Sequence, residues 1–245
     1  TISGRMVQRA VDKGVNPSKL ILFPNWSELE RFQDVQVDTE YLASLGVDLD
    51  KKLVLYSGSM GEKQGLETVI QSASHFKDRD DIQFLLVGDG SAKSALVLEC
   101  EKRELGNVLF APVQPYESLP VLQAAADCHL VVQRRGAADS VLPSKLTNIL
   151  AVGGNAVITA DPETSLGELT REWPGIACLV EPESVSALVA GIKEVLQMCS
   201  PNITALDYAR NHLDKHAVLK RFLANFSTDV SQEHHRPTSP AKGPK

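Results

Sequence analysis

Two short stretches carry residue types suited to anion chemistry. The first is Gly58-Ser59-Met60-Gly61-Glu62-Lys63-Gln64-Gly65, which follows the apolar run Leu53–Ser57 and precedes a helical pattern. Glycines let main-chain N–H groups approach a ligand closely, and a neighbouring lysine adds a full positive charge. The second stretch, Arg134 to Thr159, reads RRGAADSVLPSKLTNILAVGGNAVIT. Gly136 permits a tight bend, Pro143-Ser144 opens a helix over Lys145–Val152, and Gly153-Gly154 stops it. The free N–H groups of such a helix start and the positive end of its dipole suit a phosphate, with Lys145 beside them. The spacing alone is also satisfied by a capped helix start carrying a solvated lysine. The glycine loop likewise lacks both the Gly-Lys-Ser/Thr of a triphosphate loop and the GxGxxG dinucleotide pattern. Two lysine-bearing, glycine-assisted helix starts in one sheet together suggest a ligand that contains a diphosphate.

The elements that must position these stretches follow a regular rhythm. Strands are expected at Leu53–Ser57, Gln83–Val87, Val108–Pro112, Cys128–Gln133, Ala156–Ala160 and Ile176–Val180. Between them lie amphipathic helices, one with Leu66, Val69, Ile70, Ala73 and Phe76 on a single face, others at Ala92–Leu105, Leu119–Ala126 and Val185–Met198. Near-continuous apolar strands alternating with helices predict an α/β fold: a doubly wound, Rossmann-like parallel sheet covered on both faces. In such sheets ligands bind beyond the carboxyl ends of the strands. Gly88-Asp89-Gly90 reads there as a strand-to-helix turn, and Ala111-Pro112-Val113-Gln114 offers main-chain groups to a flat ring. Upstream, a helix is expected at Ser3–Lys13, a short strand at Leu20–Phe23 and a helix at Thr39–Leu45. Past Pro201 the pattern is helical only.

Composition bounds the class. The 245 residues carry a net charge of −6, which argues against a general nucleic-acid binder. No apolar run is long enough to span a bilayer. Cys100, Cys128, Cys178 and Cys199 show no CxxC pair and no metal spacing, so they read as free thiols in a reducing compartment. Acceptor patterns for glycosylation at Asn25, Asn202 and Asn225 read as chance matches. His212 and His216 lie four apart, a metal-compatible spacing, but no third ligand is near and they read as surface histidines. His129, Trp26 and Trp173 read as packing. The chain opens on Thr1, with no signal or transit segment before the first helical stretch, so the beginning of a longer protein is expected to precede it.

From Lys19 to about Phe226 the chain resembles the donor-binding half of family-4 retaining glycosyltransferases of the two-domain B type. The landmarks are Phe23-Pro24-Asn25, Tyr56-Ser57-Gly58 with Glu62-Lys63 and Gly65-Leu66, and Leu86-Val87-Gly88-Asp89-Gly90. Leu119-Pro120 with Ala126-Asp127, Pro143-Ser144-Lys145-Leu146 and Gly153 follow in order. The wording of SGSMGEKQGLE and GAADSVLPSKLTNILAVGG is most similar to the colanic-acid type of exopolysaccharide glycosyltransferases.

The resemblance implies residues 1–18 as a linker from an acceptor domain, 19–200 as the donor-binding domain, 201–226 as closing helices and 227–245 as a disordered tail. It implies hexosyl transfer with retention, from a GDP- or UDP-sugar to a lipid-linked or growing saccharide, without a metal or cofactor. The expected place is the cytoplasm, with peripheral contact at the inner face of the plasma membrane. Lys63 and Lys145 are the catalytic cations by this resemblance, Lys63 on the donor diphosphate. Gly58, Ser59, Val113, Arg134, Asp139, Ser144, Leu146 and Asn148 are the donor-binding residues, the helix-start amides of Ser144 to Leu146 taking the distal phosphate.

Two departures stand out. Where the family commonly has two glutamates eight positions apart, this chain has Ser140 and Asn148, so Asn148 is expected on the ribose and Asp139 at the sugar. Ser59 stands where many relatives have an arginine, a charge that Arg134 or Arg135 is expected to replace. Glu168, placed by the sequence in a loop Asp161–Thr170, is a further donor-side candidate. A non-catalytic nucleotide-sugar-binding module and a nucleotide-sugar epimerase are the alternatives.

Overall fold

The computed structural model describes residues 1–136 and 143–233. In chain order the elements are α1 (Gly4–Asp12), α2 (Thr39–Ser44), β1 (Lys52–Ser57), α3 (Glu67–Ser74), β2 (Ile82–Val87), α4 (Lys93–Lys102) and β3 (Val108–Ala111). Then come α5 (Leu119–Ala124), β4 (Cys128–Val131), α6 (Ser144–Ala151), β5 (Ala156–Thr159), α7 (Ser165–Glu172), β6 (Cys178–Val180), α8 (Val185–Val195), α9 (Ile203–Tyr208) and α10 (Lys215–Glu233). The six strands form one parallel sheet in the order β3-β2-β1-β4-β5-β6. The chain winds outward from β1 and then returns to β4 on its other side, so the switch in direction lies between β1 and β4.

Burial on both faces explains the apolar runs. Val54 and Tyr56 of β1 point with Phe84 and Leu86 of β2 into a core shared with α3, α4 and α8. Leu53 and Leu55 point with Leu85 and Val87 into a second core closed by Leu42 of α2 and Leu122 of α5. A third cluster joins Val131 and Ile158 to Leu146, Ile149 and Leu150 of α6 and to the closing helices. Each fully buried Leu or Phe contributes about 1.5–3 kcal/mol relative to exposure, which is why strands of three to six residues suffice here.

Three local expectations are corrected. Leu20–Phe23 is not a strand; Phe23 instead packs 4.2 Å, centroid to centroid, from Phe222 of α10 and 5.2 Å from Trp26. Its apolar residues thus meet a helix rather than a sheet edge. The stretch expected as a loop at Asp161–Thr170 contains α7, whose start is capped by the Thr164 hydroxyl accepting from the Gly167 N–H at 3.2 Å. Helix α10 runs through Glu233, past the point at which a disordered tail was expected.

Several bland expectations find their physical reason. All four cysteines are free, and Trp173 packs edge-on against Tyr208 and His212. Asn202 caps α9 by accepting from the Ala205 N–H and donates to the Gly175 carbonyl, which accounts for a buried asparagine there. His129 is buried in β4. Among the described residues no helix is long and apolar enough to cross a membrane.

Candidate functional site

The loops after β1, β2 and β3 and the start of α6 meet at the carboxyl edge of the sheet, around a cavity of about 600 Å³. Close main-chain packing builds its rim. The Gly58 N–H donates to the Val87 carbonyl at 2.9 Å, Met60 N–H to the Asp89 carbonyl at 2.8 Å, and Ala92 N–H to the Met60 carbonyl at 2.9 Å. At Gly88, φ is +149° and an added Cβ would lie 1.9 Å from the Gly58 carbonyl oxygen, so only glycine lets the two loops stack. Tyr56, the penultimate residue of β1, donates its phenol hydrogen to the Ser59 carbonyl at 2.5 Å and so holds the loop that follows.

Lys145, from the first turn of α6, reaches into this rim. Its ammonium lies 4.1 Å from the centroid of the Tyr56 ring, a cation–π contact, and 2.9 Å from where a Cβ at Gly58 would stand. Among the described residues no carboxylate pairs with it. Burial lowers its pKa from the ordinary lysine range to about 8. A largely enclosed cation that meets no counter-charge among the described residues, beside a helix N-terminus, is an arrangement that an anion completes. At that N-terminus the Leu146 N–H already donates to the Pro143 carbonyl at 2.9 Å, and the Leu146 side chain is in the core. The amides ahead of it, those of Ser144 and Lys145, are the ones that can serve a ligand.

The remaining walls come from two directions. Thr147 and Asn148 follow on α6, with the Asn148 carbonyl oxygen accepting from the Ser27 hydroxyl at 3.1 Å. Opposite stand Val113, Gln114, Tyr116, Leu119 and Gln123, and Trp26 closes the edge. Val113 is 69% exposed, an apolar face available to a ring, and Tyr116 carries the Arg31 guanidinium 4.8 Å over its own ring.

Of the residues singled out in the sequence, Gly58, Ser59, Val113, Ser144, Lys145 and Asn148 line this cavity. Lys63, Arg134 and Leu146 do not. Lys63 sits on an exposed 3-10 turn, Glu62–Gln64, tied to the end of β4 through its carbonyl, which accepts the Arg134 N–H at 2.9 Å. The Arg134 guanidinium donates to the Glu62 carbonyl at 2.7 Å and pairs with Glu67 and Glu183. Arg135 pairs with Asp161 and Glu181. Both arginines are therefore neutralised by carboxylates from α3 and from the loops after β5 and β6, which crowd the end of β4. Glu168 lies on α7, paired with Arg5, and is not part of the lining. Asp139 and Ser140 lie outside the described residues.

Tyr56, Gln123, Thr147, Tyr116 and Trp26 were not identified from the sequence. Tyr56 had a legible signal, a phenol in an otherwise aliphatic buried strand that needs a hydrogen-bond partner. Gln123 had a weaker one, an amide inside an apolar helix face.

The chain matches the family model described as glycosyl transferases group 1 over residues 37–211. It is 52% identical over 225 residues to WcaI of Escherichia coli (strain K12), a protein named for glycosyl transfer in colanic acid biosynthesis. That match covers 91% of this chain and 55% of the relative, so the chain spans about half the relative's length. Among solved structures, a glycosyltransferase from Rickettsia africae superposes with a TM-score of 0.74 at 12% identity, over 97% of this chain and 63% of that one. Anabaena HepE, solved in complex with UDP-glucose, gives 0.76 at 16% identity, over 92% and 62%. At these identities the two structures show a common fold. The family match extends over β1–β6 and every residue of the cavity lining except Trp26, and the chain belongs to the glycosyl transferases group 1 family.

Proposed function

We propose that this chain is the nucleotide-sugar-binding half of a retaining glycosyltransferase that builds a cell-surface polysaccharide. The observation that carries the reading is Lys145: a largely enclosed ammonium that no carboxylate among the described residues pairs with, at the start of α6, in a cavity at the strand-order switch. Cleaving a sugar from a nucleoside diphosphate builds negative charge on the departing phosphate. A cation and helix-start amides already in place stabilise that charge without reorganising, so they favour the transition state over the ground state. In this scheme Lys145 and the amides of Ser144 and Lys145 hold the distal phosphate, Gly58 and Ser59 bring the β1 loop against it, and Val113 faces the base. Asn148 takes a ribose hydroxyl. Lys145 supplies the charge, and no metal or cofactor is invoked. The HepE structure with UDP-glucose supports a nucleotide sugar as donor, and the WcaI name supports a place in polysaccharide biosynthesis.

Titration calorimetry of this chain with UDP, GDP and ADP tests the reading. Saturable heat with at least one of them, lost in Lys145→Met, is expected. No heat with any of the three sinks the proposal. Asn148 in place of an acidic residue favours a second reading, a module that binds the nucleotide sugar without transferring it. Sugar-transfer assays on the full-length protein separate the two.

A further inference from the structure

Gln123 is 4% exposed, lines the cavity from α5, and its Oε1 has no hydrogen-bond partner. Five buried side-chain polar atoms are unpartnered among the described residues, those of Ser72, Asn107, Gln123, His129 and Asn155, and of these residues Gln123 lines this cavity. Burying an amide oxygen unpaired is unfavourable, and an apolar side chain of the same length would avoid the cost. Asn148 Oδ1 accepts from Ser27, Thr147 Oγ1 donates to the Ser144 carbonyl at 2.6 Å, and Gln114 is held between Tyr41 and the Pro112 carbonyl. The Gln123 Oε1 thus meets no donor among the described residues.

We infer that Gln123 is a specificity-determining residue of this cavity, its Oε1 accepting a hydrogen bond from an N–H or O–H of the nucleoside part of the bound nucleotide. A diphosphate cannot fill this place, since its ionised oxygens offer no hydrogen and a carbonyl dipole repels them. The cationic end of the cavity belongs to Lys145, whereas Gln123 follows Val113 and Gln114 along the wall assigned to the base. The inference rests on the nucleotide reading above and adds to it which residue reads the nucleoside.

The test compares wild type with Gln123→Met, which keeps length and shape and removes the acceptor. Calorimetry is run with UDP, GDP and inorganic pyrophosphate. The expected result is about a tenfold weaker Kd for the nucleoside diphosphate that wild type prefers, with pyrophosphate unchanged. On wild type, the ring-N-methylated and 2′-deoxy forms of that nucleotide identify the donor: loss with the first assigns a base N–H, loss with the second a ribose hydroxyl. Equal binding of the nucleotide by Gln123→Met and wild type, or an equal loss for pyrophosphate, overturns the inference alone. No nucleotide binding by wild type overturns the functional reading and the inference with it. Should Gln123→Met fail to fold, Gln123→Leu takes its place with the same two outcomes.

Discussion

The Lys145 ammonium rests 4.1 Å above the Tyr56 ring, close enough to Gly58 that a single methyl there would meet it at 2.9 Å. Strand β1 supplies the ring, the loop after β1 supplies the glycine, and α6 supplies the cation. The position of the charge is therefore set by the packing of three segments and not by an ion pair.

A lysine that meets no counter-charge among the described residues opposes folding while it serves binding. Replacing it with methionine, as in Lys145→Met, should raise the free energy of unfolding by about 1–3 kcal/mol, because a desolvated charge is removed. The same change should weaken nucleoside diphosphate binding roughly 10- to 100-fold. Urea unfolding and calorimetry on one preparation check both, and a loss of stability together with unchanged affinity would remove Lys145 from the site.

The lowered pKa makes binding depend on pH. Below about 8 the free site is protonated and affinity should be flat. Above that value the amine must regain a proton to meet the anion, and affinity should fall by up to about tenfold per pH unit. Stability moves the other way. Both states are protonated below 8, but between 8 and the ordinary value of 10.5 only the unfolded state keeps the proton, so stability rises through that window. Calorimetry from pH 7 to 9.5 should show the decline in wild type and a flatter profile in Lys145→Arg.

Two neighbouring glycines should respond differently to alanine. In Gly58→Ala the new methyl presses on the end of a flexible side chain, so the amine is displaced and nucleotide affinity should fall, in addition to the backbone strain that φ +154° imposes on any side chain. In Gly88→Ala it meets a main-chain oxygen at 1.9 Å, which cannot yield without separating the β1 and β2 loops. The expected cost there is about 2 kcal/mol or more in stability. Thermal melts and calorimetry on the pair measure the difference.

Arg134 should be dispensable for nucleotide binding. Its partners Glu67 and Glu183 and its own guanidinium are each more than 40% exposed, so the ion pairs are screened by solvent. Arg134→Ala should lower stability by about 0.5–1 kcal/mol and change nucleotide affinity less than about threefold. A tenfold loss in affinity would place the guanidinium on the ligand instead.

Much of the architecture was legible along the chain. Strands buried on both faces must be apolar throughout, and helices covering a sheet must be apolar on one stripe, so Val54–Tyr56, Phe84–Val87 and the Leu66–Phe76 stripe announced a parallel α/β sheet without reference to distant residues. The rule that such sheets bind at their carboxyl edge then led to the Gly58 loop, Val113 and the start of α6, of which Gly58, Ser59, Val113, Ser144, Lys145 and Asn148 line the cavity. Local pattern could not say where individual side chains go, because that depends on which segments a crossover brings together. Lys63 and Lys145 look alike in sequence, yet the first sits on an exposed turn and the second is enclosed between Tyr56 and Gly58. Arg134 is satisfied by Glu67 and Glu183, residues far from it in the chain that the winding order delivers to the same corner. Gln123, one polar residue in an apolar helix, became a candidate only when the fold placed it on a cavity wall with its oxygen unpaired. Periodicity is a property of neighbours along the chain and so determined the sheet and its functional edge; which charges remain unspent there is a property of neighbours in space, and only the tertiary structure decided it.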